Sequence, residues 1–152
     1  MSQFRFRFQR ILDVKENEKE YAKLNMATAL KLEAEEQQRN EAIYRKIVEI
    51  DRVKKEKQQK GVQIAELRMI DQYIHQLEEQ LVTSNEELKL LRNNVNESKT
   101  ILQQKAKEEK TWLNLKNAEK NTFEYQSKLA EQNFFDELST DRYYRASISE
   151  RW

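Results

Sequence analysis

From Leu67 onward, apolar residues step by three and four through Ile70, Ile74, Leu77, Leu81, Leu88, Leu91, Val95 and Leu102, and only Ser84 and Ser98 break the series. A 3-4 spacing sustained over that distance keeps one stripe of a helix turned toward a second helix through a left-handed supercoil, which is the physical meaning of a coiled-coil seam. A helix of this kind needs a partner.

Upstream, Phe8, Leu12, Ala22, Met26, Ala29, Ile43, Ile47 and Ile50 share one such register, interrupted by Lys15, Lys19, Glu33, Glu36 and Asn40. The middle of this first seam therefore reads as weak. Glu35 with Arg39, Glu41 with Arg45, Asp51 with Lys55 and Glu56 with Lys60 sit at i, i+4. Each such pair supports a helix by a few tenths of a kcal/mol, so the first helix is expected to persist through poor packing.

Composition narrows the fold further. The chain has no Pro, one Gly and no Cys, with 36% charged residues, so the punctuation of sheets and loop-rich domains is missing. Hydrophobic residues make up 38% and the mean hydropathy is −1.04, enough for a thin interhelical seam but not for a thick core. A net charge of +1 beside a clear apolar period argues against disorder of the whole chain.

Arg52 to Lys60 reads RVKKEKQQK and is followed by Gly61. Basic residues complement the negative end of a helix dipole, and a Gly just beyond is the usual left-handed cap, so the chain should turn here. The expected fold is all-α: a long, elongated, antiparallel two-helix coiled-coil hairpin with no sheet. It reads as a single unit over residues 1–152, with helix one over about 4–59, a tip at about 60–67, helix two over about 68–141 and a C-terminal tail over about 142–152.

Such a tip would bring Phe4 level with about residue 122 at ~1.5 Å per residue. Phe123, Tyr125, Leu129, Phe134, Phe135, Leu138, Tyr143 and Tyr144 then lie at or beyond the reach of helix one. This is more aromatic surface than a solvated helix has reason to carry, and it reads as a docking face. The alternatives are that the overhang folds back or self-associates with a second copy. Trp112 falls on the continued seam register, where core packing is the simpler role. Tyr73 falls outside that register and is the better candidate for an exposed contact.

No chemistry emerges from the chain. His75 is the lone histidine and there is no Cys to complete a transition-metal site. The carboxylates alternate with Lys and Arg along helices, and one Gly cannot build a phosphate-cradling loop. Neither a cofactor nor a metal is expected, and a non-enzyme is. The 28 basic and 27 acidic residues nearly cancel, so the field expected of a nucleic-acid binder is missing. No run approaches the ~20 apolar residues of a membrane span, and Phe4-Arg5-Phe6-Arg7-Phe8 is not a signal peptide. A cytoplasmic protein with protein partners is expected.

Three segments resemble a known family, the soluble stalk proteins of the bacterial flagellar type III export apparatus, called the FliJ family. They are FRFRFQRILDVKENEKEYAKL over residues 4–24, MIDQYIHQLEEQL over 69–81 and TWLNLKNAEKNTFEYQSKLAEQNFFDELSTDRYYR over 111–145. The resemblance covers nearly the whole chain. It implies a protein similar to the central stalk of rotary ATPases, inserted in the hexameric ring of the flagellar export ATPase, stimulating its assembly and activity, and coupling it to the membrane export gate. It also implies an escort role for export chaperones. The location implied is the cytosolic face of the inner membrane, reached only through protein partners.

Carried onto this sequence, the resemblance implies an export-gate contact at Tyr73 and Leu77, with Ile43 and Ile50 on helix one. The ATPase-ring contact would fall at Phe4, Arg5, Arg7, Arg10, Phe134, Phe135, Arg142 and Arg145. Ile70, Ile74, Leu81, Leu88, Leu91, Val95, Leu102, Trp112, Met26 and Ile47 are assigned to the coiled-coil seam. The equivalent stalk of a virulence secretion system and a generic coiled-coil scaffold are the competing readings.

Overall fold

Gly61 has φ of 85°, a backbone conformation that costs a side-chain-bearing residue but not glycine, and it follows Lys60, the last residue of the first helix. The structure, a computed structural model, describes residues 2–151. Met1 and Trp152, the ends of the expected single unit and tail, lie outside the described residues. Helix α1 spans Gln9–Lys60 and helix α2 spans Ile64–Arg151; among the described residues there is no strand. The two long helices pack against each other.

The boundaries differ from the expected ones at three places. Helix α1 begins at Gln9 rather than near residue 4, because Phe4, Phe6 and Phe8 alternate at period two, which places them on one side of a non-helical segment and not on one face of a helix. The connection is only residues 61–63, since the amide of Leu67 already bonds the carbonyl of Gln63 at 3.1 Å. Helix α2 continues to residue 151 without a separate tail, supported by an Arg145–Asp141 pair at 3.2 Å and by the lack of Gly or Pro beyond Gly61.

Two compact units divide the chain, Glu18–Lys105 and Met1–Asn17 with Ala106–Trp152. In the first, the helices run antiparallel from the connection outward. Lys57 pairs with Glu66, Lys54 with Asp71 at 2.6 Å, Arg92 with Glu33 at 3.7 Å and Lys105 with Glu18 at 3.2 Å. Its seam buries Ala22, Ile43, Ile70, Leu77 and Leu88. Met26, Ile47, Ile74, Leu81, Leu91, Val95 and Leu102 are half-buried along the same line.

The polar interruptions of α1 turn out to be paired layers. Glu36 and Ser84, 4% and 3% exposed, face each other across the seam. The Ser84 hydroxyl donates to Glu36 Oε1 at 2.7 Å, while Arg39 donates to Glu36 Oε2 at 2.7 Å. Asn40 donates from Nδ2 to Ser84 Oγ at 3.2 Å and to Asn85 Oδ1 at 2.7 Å. Arg39 thus bonds Glu36 rather than the expected Glu35, and Glu56 takes Arg52 at 3.1 Å. Arg45–Glu41 and Lys55–Asp51 pair at 3.6 and 3.2 Å.

The second unit is built on aromatics. Leu12 is its most buried residue, and Phe6 on the N-terminal segment is also buried. Phe8 meets half-buried Trp112 edge-on at 5.6 Å between ring centroids, and Phe6 meets Phe8 at 5.9 Å. Phe4 packs on Phe123 at 5.6 Å. Lys15 bonds Glu108 at 3.1 Å within the same unit.

Candidate protein-binding surfaces

Near the connection, helix α2 carries its apolar residues in two different situations. Leu77 is 3% and Ile43 8% exposed, so both belong to the seam, and Ile50 is half-buried. Tyr73 is 44% exposed, and Met69, one turn before it, is more open still. Residues four apart on a helix are neighbours on one face, so Met69 and Tyr73 form a small exposed patch. Met69 and the exposed Ile64 were not picked out by sequence reasoning, because the seam register only marks residues that face the partner helix.

Two ion pairs tie this patch's helix to α1. Lys54 bonds Asp71, and this hydrogen bond, only partly opposed by desolvation and helped by the charges of Asp71 and Asp51, raises the Lys54 ammonium above its ordinary range. Lys57 bonds Glu66 one turn closer to the connection. His75 points outward and meets Glu79 at 3.1 Å through Nε2. Among the described residues, no three His, Cys, Asp or Glu side chains are grouped to hold a metal ion. No described helix is long and apolar enough to cross a membrane.

In the other unit, the residues implied for the ring contact fall into two groups. Phe4 is half-buried against Phe123, and Arg5, Arg7 and Arg10 are exposed around it. Arg7 lies over the Phe8 ring at 4.5 Å, a cation–π contact that holds its guanidinium at the surface. Arg5 shares a shallow groove with Lys116 and Lys120, which adds two cations to the N-terminal arginines. Phe134 and Phe135 are exposed, with rings edge-on at 6.0 Å, and Arg142 and Arg145 are exposed beyond them.

The structure does not join these groups. Arg142 follows Phe123 on one continuous helix, so it lies roughly 29 Å along the axis from the level of Phe4. Lys116 and Lys120, which the sequence reading left unassigned, show no signal in the heptad pattern, because one is a polar break in the seam register and the other lies off it. Residues 131–146 are exposed throughout.

A family profile described as "Flagellar FliJ protein" matches residues 4–147. No curated protein and no solved structure matches the chain.

Proposed function

The chain belongs to the FliJ family, components of the flagellar export apparatus, and from that premise we propose that it works there as a non-enzymatic, stalk-like adaptor between the hexameric export ATPase and the membrane export gate. The observation that carries the reading is the match over residues 4–147, which takes in both exposed regions as well as the seam.

On this proposal, the ring contact is made by the cationic cluster of Arg5, Arg7 and Arg10, with Phe4 anchored on Phe123 beneath it and Phe134, Phe135, Arg142 and Arg145 engaging at a second level. A rod turning or settling inside a ring is best served by distributed polar contacts that can be remade at each step, which exposed arginines supply. The gate contact is made by Tyr73, while buried Leu77 and Ile43 and half-buried Ile50 hold its helix in place. Export chaperones dock on the exposed helical surface, and the protein reaches the cytosolic face of the inner membrane through these protein partners.

Mixing the purified chain with the export ATPase tests the reading directly. The expected result is faster ATP turnover and more hexamer; unchanged turnover and assembly would leave a scaffold with no ATPase partner.

A further inference from the structure

Beyond Phe123 the large aliphatic residues of α2 lie off the seam register. Continued through the overhang, that register falls on Gln126, Ala130, Asn133, Glu137, Thr140, Tyr144 and Ser147, five polar positions with one alanine and one exposed tyrosine. Exposed Phe134, Leu138 and Ile148 instead share a second 3-4 stripe with Asp141 and Arg145, rotated away from the seam. An extension of the same α1 pairing cannot cover a stripe on another face, so its partner is a different surface.

The charges of this segment say which one. From Glu131 to Asp141 all four charged residues are acidic, whereas from Arg142 to Arg151 three of four are basic, Glu150 being the exception. A parallel copy would set acid against acid and base against base. An antiparallel copy can instead set Asp141 of each stripe against Arg145 of the other, opposite charges both times, with Asp136 and Glu150 falling opposite each other off the stripe.

We propose that this stripe pairs antiparallel with the same stripe of a second copy of the chain, about a two-fold axis near Tyr143. That axis brings Leu138 opposite Ile148 of the second copy, and Asp141 opposite Arg145, twice in each pair. Asp141 and Arg145 already lie 3.2 Å apart within one helix, so the two pairs close into a four-charge cluster between apolar contacts. The overlap is about 17 residues, or ~25 Å of helix, which is short for an obligate interface. The dimer is therefore weak and concentration-dependent. Its existence does not depend on the ATPase reading, but it covers Arg145, so pairing and ring entry through that residue exclude each other.

Sedimentation equilibrium of the full chain over about 5 to 500 µM tests the pairing, with no ATPase present. The wild-type chain is expected to pass from monomer to dimer within that range. Asp141→Arg and Arg145→Glu are each expected to raise the dissociation constant about tenfold or more, since each creates two like-charge contacts per dimer. Mixing the two variants is expected to restore the dimer, because the first is positive at both stripe positions and the second negative at both, while the intrahelical pair stays broken in each. A wild-type chain that stays monomeric throughout overturns the proposal. So do single variants that dimerise like the wild type, and so does a mixture that remains monomeric.

Discussion

The Ser84 hydroxyl donates 2.7 Å across the helix pair to Glu36 Oε1, and both side chains are nearly withdrawn from solvent. A carboxylate at that depth is tolerated because Ser84 and Arg39 between them satisfy both of its oxygens. Asn40, bonded to Ser84 and Asn85, extends the layer by one more residue on α1. Such a layer has one alignment in which every group is satisfied, and any axial slip of the helices strands a buried charge.

Removing the hydroxyl alone should therefore cost more than its size suggests. Ser84→Ala leaves Glu36 with one oxygen unmet and is expected to destabilise by about 1–3 kcal/mol, read as a lower melting temperature by circular dichroism. Glu36→Leu combined with Ser84→Leu is expected to melt at or above the wild-type temperature, because no buried charge is left behind. The same double variant should lose its unique alignment. Nitroxides on cysteines introduced at exposed Gln38 and Glu86 should give one narrow distance in the wild-type background and a broader distribution shifted to longer distances in the variant, because a one-heptad slip offsets the two labels by about 10 Å along the helix axis. A single narrow distance in both would show that the apolar seam alone sets the alignment.

Leu12, at 1% exposure the most buried side chain, anchors the aromatic unit. Leu12→Ala should cost about 2–5 kcal/mol, the range for truncating a core leucine. Trp112 fluorescence, reporting the ring packed on Phe8, should lose its native signal at lower denaturant than in the wild type.

Among the described residues, Gly61 is the one position where backbone geometry demands glycine. A Cβ there would meet nothing within 4 Å, so substitution is resisted by conformation and not by crowding. Gly61→Ala is expected to destabilise by about 1–2 kcal/mol, and Gly61→Asn by less, since asparagine tolerates the left-handed region better. Equal melting temperatures for the two variants would argue that the connection relaxes instead.

Replacing Arg5, Arg7 and Arg10 together with Glu should reduce stimulation of the export ATPase several-fold at low salt, with far-ultraviolet dichroism unchanged, because these side chains are exposed. Full stimulation by that variant would move the ring contact elsewhere on the chain.

The Lys54–Asp71 pair gives a pH dependence whose direction is fixed. Its hydrogen bond raises the Lys54 ammonium above the ordinary value, so the folded state holds this proton more tightly than the unfolded chain. The stabilisation is fully present below the unfolded value, near ~10.4, and is lost as pH rises through the raised one. Amide exchange around the connection, compared between the wild type and Lys54→Met, should show protection that falls in that alkaline window only when Lys54 is present.

Much of this was legible in the residues. The 3-4 stepping from Leu67 to Leu102 declares a partnered helix. What the pattern hid was pairing across the seam. Glu36 and Asn40 read as defects in one register and Ser84 as a defect in the other, and only the alignment of the helices reveals that the defects coincide. Met69 was hidden for the complementary reason, since periodicity identifies the buried face and is silent about which outward residues cluster. An expected start of α1 near residue 4 falls five residues early, because the alternation of Phe4, Phe6 and Phe8 signals a non-helical segment.

The three-residue connection also orders the events by which the chain folds. Contacts at the connection close short loops, Lys57 with Glu66 being nine residues apart in sequence, while Lys15 and Glu108 lie 93 apart. Closing the longer loop from an open chain costs more entropy, but once the nearer turns are zipped each further layer closes only a short increment. Folding that starts beside Gly61 and runs outward makes the connection the nucleus and the aromatic unit the last part to form. Substitutions near the connection then slow folding, whereas those around Leu12 and Trp112 chiefly hasten unfolding.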